Sequence, residues 1–265
     1  MDNKVYRLVV GVFAVLVIAL LSFVLLRPKQ PHVVEKPPAP PIEKKLARGT
    51  IAIVIDDVGY SAQTMDIYSQ IHLPLTVSVL PNLPFTSQAA QTLHDRHFEV
   101  ILHLPMEPKN ASGLEDRTIL VSMTADPIRS IVAEDLASVK YAKGVSNHMG
   151  SKATEDTATL KPVFEELKKR RLFFLDSFTS TRSIAEQTAR EYGLRSARRD
   201  IFLDNRSERE YIRRQLALLK QKAQKNGRAV GIGHDRKTTL EVLREEMPAM
   251  AKEGYRFVFI SDLVE

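Results

Sequence analysis

Cysteine is absent from all 265 residues. Its absence excludes disulfides, thiolate nucleophiles and cysteine-based zinc sites in one step, and is compatible with an oxidising compartment. No serine lies in the glycine-flanked elbow of a serine hydrolase, and no glycine-rich loop is present to cradle a phosphate. The formal charge is +6, yet there is no nucleic-acid recognition motif, so nucleic acid is not an expected partner. No internal repeat is present beyond an alternation of strand-like and helix-like segments.

Long apolar runs are scarce as well. The one present, Leu8 to Leu26, is apolar throughout except for Ser22 and lies between Arg7 and Arg27. As a helix it is long enough to cross a hydrocarbon layer of roughly 30 Å. No A-x-A cleavage site follows it, so a retained signal anchor is expected, with secretion after signal cleavage as the alternative. Lys4 and Arg7 precede the span and Arg27, Lys29 and Lys36 follow it, so positive charge alone argues against export. A short charged leader running straight into an apolar span is nonetheless the usual shape of an export signal. The expectation is a single-pass inner-membrane protein with its domain in the periplasm or outside. Residues 1–27 would be the anchor. Residues 28–48, rich in Pro, Lys and Glu, would be an extended linker, and residues 49–265 one domain.

Within that domain, Ile51-Ala52-Ile53-Val54-Ile55 ends on Asp56-Asp57 and then Val58-Gly59. An uninterrupted β-branched run reads as a strand buried on both faces, the habit of parallel sheets. Adjacent residues on an extended chain point to opposite sides, which predicts different tasks for the two aspartates. The pattern recurs: short apolar runs end at His103 with Glu107 beyond, at Asn147-His148, at Asp176, at Asp204 and at His234. Strand-like runs at 75–80 and 257–260 bring the count to seven or eight. Helix-like stretches lie between them. Asp126-Pro127 and Ser61 offer N-caps, and the boxes starting at Ser207 and Thr238 offer two more. Gly227 and Gly254 are plausible stops. Alternating strands and helices predict a distorted (β/α) barrel with its site on one rim, or an open doubly wound sheet as the second choice.

The titratable residues at these strand ends invite two readings each. One reading has Asp56 and Asp57 cap the next helix, but Ser61 already supplies that cap, which favours a functional pair. His103 alone would read as a satisfied core histidine; four residues before Glu107 in a proline-bracketed turn, it reads as a ligand. His148 lies in a loop-like context, and His234 follows Gly231-Ile232-Gly233, which leaves little bulk around it. His32, His72, His94 and His97 receive no role. One aspartate and two imidazoles are a normal ligand set for Zn²⁺ or a similar ion, which would acidify water and polarise a carbonyl. A free carboxylate and a free histidine complete the inventory for hydrolysis of an amide or ester. Asp176 and Asp204 could serve as a glycosidase pair, but the histidines would then have no task. The basic clusters Lys168–Arg171 and Arg195, Arg198 and Arg199 read as solvated helix ends, or as attractors of anionic lipid or wall polymer.

Taken in order, IAIVIDDVGY, ILHLPMEP, GVSNHMGS, LFFLDSFT, RDIFLDN and GIGH resemble the divergent polysaccharide deacetylase family, relatives of the NodB-homology carbohydrate esterases. The resemblance covers nearly everything from Ile51 onward. It implies a distorted (β/α)7-type barrel, a divalent metal, usually zinc, at the rim, and an acetylated glycan as substrate. It implies Asp56 as general base, Asp57 as metal ligand and His234 as general acid, with Asp176 orienting that histidine or shaping the pocket. The relatives' second motif carries two histidines; here His103 matches the first and Glu107 stands where the other would be. His148 is then the replacement ligand, with Glu107 as competitor or supporting partner. The relatives' RxPY-like motif is not evident, and Asn147 is the candidate for its oxyanion task. Asp204 is a possible supporting residue. The implied activity is removal of N-acetyl or O-acetyl groups from an envelope polysaccharide such as peptidoglycan. The rival readings are a non-catalytic glycan-binding or envelope-organising module that kept the fold, and another metal hydrolase such as a phosphoesterase.

Overall fold

The computed structural model describes residues 2–26, 48–110 and 112–265, which include one apolar helix and, separately, one curled parallel sheet with helices packed on it. The chain divides into two units, Met1–Lys44 and Lys45–Glu265. The first holds α1 (Asn3–Leu25), with a mean hydropathy of 3.2 over its most apolar stretch and no buried residue. At 1.5 Å per residue its 23 residues extend about 35 Å, which makes it a candidate membrane span. The linker expected at 28–48 lies outside the described residues except for Arg48.

The second unit runs β1 (Gly49–Val58), α2 (Met65–Tyr68), β2 (Thr76–Val79), α3 (Thr86–Asp95), β3 (Glu99–Met106), α4 (Ala125–Ser138), β4 (Gly144–Met149) and α5 (Thr157–Lys169). It continues through β5 (Phe173–Asp176), α6 (Ala185–Glu191), β6 (Ser196–Arg198), β7 (Ile201–Phe202), α7 (Arg209–Asn226), β8 (Arg228–His234), α8 (Lys237–Glu253) and β9 (Tyr255–Val258). Every strand pairing is parallel, in the order β6-β5-β4-β3-β2-β1-β8-β7, with β9 added beside the start of β1. The two edges, β6 and β7, follow one another in sequence but are not paired, so the barrel is open between them.

Side-chain alternation explains the curl. Ile51, Ile53 and Ile55 point outward into a core shared with Leu93 of α3, Ile128 of α4, Leu160 of α5, Leu216 of α7 and Leu243 of α8. Ala52 and Val54 point inward and meet Ile101, Phe173, Leu175, Val230 and Ile232, with Ile260, Leu263 and Val264 of the C-terminal segment packed among them. Helices therefore cover the outer face only, and the inner face closes on its own small core. This is the expected distorted barrel rather than a doubly wound sheet, which would carry helices on both faces.

Local signals fared unevenly. Gly227 and Gly254 do end α7 and α8 in the left-handed conformation, at φ 78° and 104°. The two capping boxes do not form: Glu208 and Arg236 occupy the N-cap positions, and neither makes a side-chain cap bond. The helix expected after Ser61 shrinks to the four residues of α2, and Thr124 rather than Asp126 is the N-cap of α4.

Close packing between β4 and β5 makes one position test this arrangement. Gly144 lies opposite Phe173, and a Cβ at Gly144 would stand 2.3 Å from the Phe173 ring. Gly144→Ala is expected to lower stability by about 1–3 kcal/mol through overpacking, read in urea unfolding. Adding Phe173→Leu should recover part of that loss; no loss in the single variant would refute the packing.

Candidate metal centre

The site begins with a broken strand. Between Ile55 and Val58 the register of β1 against β2 shifts, and Asp57 takes φ 64°. A left-handed residue inside a bulge re-aims its side chain, and aspartate tolerates that conformation better than most residues. The alternation expected of Asp56 and Asp57 is thereby undone. Both carboxylates approach the same imidazole nitrogen: His103 Nε2 lies 3.3 Å from Asp57 Oδ1 and 3.7 Å from Asp56 Oδ2.

β3 and β4 supply the imidazoles. His148 Nδ1 lies 3.0 Å from the same Asp57 Oδ1, and the two imidazole rings meet edge to face at 4.9 Å. One ligand atom from each of Asp57, His103 and His148 falls within 4.8 Å of the other two. On its far side His103 Nδ1 lies 2.8 Å from Ser146 Oγ, which in turn lies 2.6 Å from Ser78 Oγ. With the proton on Nδ1, donated to Ser146, the Nε2 lone pair is free to meet a cation lying between it and the carboxylates; with the proton on Nε2, that nitrogen donates to Asp57 instead. His148 Nε2 and Asp56 Oδ1 are also buried without a hydrogen-bond partner.

The proton affinities of the two acids diverge. Burial raises that of Asp56, and the surrounding imidazoles only partly offset it. Burial pushes Asp57 the same way, but its contacts with His103 and His148 outweigh it and hold the carboxyl well below the usual range. An ionised carboxylate and two imidazole nitrogens could hold a divalent cation, with coordination positions left over.

On the other side of β1, β8 brings His234 level with Asp56. His234 Nδ1 lies 2.7 Å from Asp204 Oδ1; Asp204 Oδ2 accepts from the His234 backbone N–H at 2.9 Å and from Thr239 Oγ1 at 2.7 Å. Burial lowers the proton affinity of His234, and the Asp204 contact more than reverses this, so it ends above the ordinary value. Burial raises Asp204, and the same contact brings it below its ordinary value. With Nδ1 committed, Nε2 of His234 is the nitrogen free to exchange a proton.

Three expectations need correction. Asp176 does not orient His234: its oxygens accept from Phe178 N–H and Ser183 Oγ, each at 2.7 Å, so it shapes the loop after β5. Asp204 does the orienting, because β7 lies beside β8 while β5 lies near the other edge of the sheet. Glu107 is no ligand competitor: one oxygen takes Lys152 Nζ at 2.6 Å and the other the Val121 N–H at 2.6 Å, fastening the loop beyond β3. Asn147 is not free for an oxyanion, since its amide is spent on the Ser177 N–H at 2.9 Å and the Met149 carbonyl at 2.7 Å.

Sequence reasoning missed several supports. Ser146 stands two residues before His148, the spacing that puts both on one face of β4. Thr239 looked like part of a cap. Arg199 donates to the Ser177 and Phe178 carbonyls, each at 2.7 Å, and its guanidinium lies 3.6 Å over the Phe202 ring; burial brings its pKa down to about 10. Phe202 in turn stacks on His234 at 5.8 Å. No local signal in the sequence announces that stack.

A family profile described as divergent polysaccharide deacetylase matches residues 53–264. The uncharacterized protein YibQ of Escherichia coli K12 is 34% identical over 197 residues, which is 74% of this chain and 62% of that protein. An uncharacterized protein of Haemophilus influenzae is 35% identical over 198 residues, covering 75% of this chain and 71% of its own. The match thus spans less than two thirds of the E. coli relative. Among solved structures, an uncharacterized protein of Agrobacterium tumefaciens C58 aligns with a TM-score of 0.76 at 26% identity, over 82% of this chain and 90% of that one. A family 4 carbohydrate esterase from Streptomyces lividans, solved with acetate, shares the fold at a TM-score of 0.51 and 14% identity, over 81% of this chain and 94% of that one. Matched from the first strand to the C-terminal turn, the chain belongs to the divergent polysaccharide deacetylase family.

Proposed function

We propose that this protein is a metal-dependent hydrolase that removes acetyl groups from an N-acetylated, or O-acetylated, envelope polysaccharide such as peptidoglycan. In this reading it is tethered to the inner membrane by α1 and works on the periplasmic side. One observation carries the proposal: a carboxylate–imidazole–imidazole trio stands between a buried carboxylate of raised proton affinity and a histidine oriented by a buried aspartate.

Asp57, His103 and His148 would hold the ion, with Zn²⁺ the first candidate because its preferred donors are these. A divalent cation bound there would supply Lewis-acid polarisation of the acyl carbonyl and would acidify water. The remaining work falls to the chain. Ser146 fixes the His103 tautomer through Nδ1. Asp56 takes a proton from the attacking water, for which a raised proton affinity is useful. His234 Nε2 delivers a proton to the departing sugar nitrogen, and Asp204 steadies the imidazolium before that transfer. Water and the acetamide are consumed, and acetate and a free amine are released.

Acetate release from peptidoglycan or chitooligosaccharides by Zn²⁺-loaded protein is the direct test. Asp56→Asn and His234→Ala should each lower kcat about 10²- to 10⁴-fold, the usual weight of a general acid or base. Undiminished turnover in both variants would remove the assignment. The proton on His234 must be present for the final transfer, so activity should fall on the alkaline side of its profile. In Asp204→Asn the carboxylate that raises His234 is gone, and that alkaline limb should move to lower pH; an unmoved limb would sink the role given to Asp204. Chelation should abolish acetate release. Calorimetric titration with Zn²⁺ should show binding weakened about 10- to 100-fold by Ser146→Ala, and lost in His103→Ala.

A further inference from the structure

Because every strand runs the same way, the loops that lead into the strands gather at the end of the barrel opposite the metal centre. At that end stand Arg96, Lys140, Lys143, Arg171, Arg195 and Arg256, all exposed. None of the six has a carboxylate within ion-pair distance among the described residues. Many cations elsewhere are matched: Arg209 and Arg213 pair with Glu245 between α7 and α8, and Lys152 pairs with Glu107 at the rim of the site. Three carboxylates at the basic end are already engaged by cations, Glu253 by Lys220 at 2.8 Å, Glu166 by Arg170 at 2.8 Å and Glu265 by Arg228, while the exposed Asp95, Glu191 and Asp262 are outnumbered by the six cations. Helix dipoles account for cations in a last turn, such as Lys168 and Lys169. They do not account for Lys143 and Arg195, which lie in loops, or for Arg256, which lies in β9. The chain also enters the barrel at this end, at Gly49, coming from α1.

Resting on the reading of α1 as a membrane anchor, part of the proposed function, we propose that this basic end is a docking face for anionic phospholipid headgroups of the anchoring bilayer. Cations on loops at one end of a barrel can approach a charged plane together, within the roughly 8–10 Å over which salt leaves such attraction effective. Each cation near an anionic membrane surface multiplies the docked population about fivefold. Docked this way, the barrel turns its metal centre away from the lipid and toward the space where wall polymer lies. The wall polymer is the competing occupant of the basic face, but the entry of the anchored chain at the same end favours the bilayer.

The absence of cysteine makes the test clean. Gln224→Cys, on the exposed last turn of α7, provides a single labelling position at this end of the full chain. The labelled protein is reconstituted through α1 into nanodiscs of phosphatidylcholine, with or without phosphatidylglycerol, and quenching by a headgroup-attached quencher is measured. Stronger quenching in the anionic discs, reversed by high salt, is the expected result. Lys140→Glu, Lys143→Glu and Arg171→Glu should each reduce the docked-to-undocked ratio about fivefold or more. Equal quenching in both lipids, or quenching indifferent to salt, overturns the proposal, and the salt arm decides even if a charge variant fails to fold. Lipid-insensitive quenching combined with salt-sensitive binding to isolated peptidoglycan overturns it in favour of the wall polymer.

Discussion

The structure turns on an electrostatic constraint at the end of β1. Two carboxylates crowd one imidazole nitrogen of His103 in a buried space, and such crowding is stable only with positive charge, a proton or a cation, among them. The left-handed turn at Asp57 creates this situation. Without it Asp57 would point away from Asp56, and neither would share His103. Backbone strain at a functional site is ordinarily balanced by the surrounding structure. Here the balance comes from Asp57's short contacts to two imidazoles and from the closely packed core of β1 beneath it.

The rest of the rim is organised to keep that arrangement rigid. Ser78 and Ser146 form a buried polar pair inside the barrel, and the Ser146 hydroxyl lies against the outer nitrogen of His103. Asp204 does the same for His234, with Thr239 and a backbone N–H filling its second oxygen. The two histidines thus differ in what steadies them. His103 has a neutral hydroxyl on its far nitrogen, whereas a carboxylate there makes His234 easier to protonate.

The barrel's incomplete closure bears on the same rim. β6 and β7 form the edges, and the chain crosses between them through Arg199. Its guanidinium grips the loop after β5 while lying over Phe202 of β7, so side-chain contacts span a gap that no backbone ladder closes. That gap also explains why Asp204 and not Asp176 reaches His234. Asp204 lies just beyond β7, which adjoins β8, whereas β5 lies at the remote side of the opening.

Much of this was legible in the chain itself. The apolar runs ending in Asp or His determined a parallel barrel with chemistry on one rim, because period-two burial and parallel connections leave few other ways to cover such strands. The resemblance of the motifs singled out Asp57, His103 and His148 as candidates to meet, and composition alone showed that Leu8–Leu26 suits a bilayer. Tertiary structure alone decided which acid orients His234, that Glu107 is tied to Lys152, and that Asn147 is spent on backbone. Those outcomes depend on the order of strands around the barrel and on a single bulge, and both are set by packing between segments distant in sequence. Local propensity carries no information about either, so the residues with chemistry could be read one by one, but their partners could not.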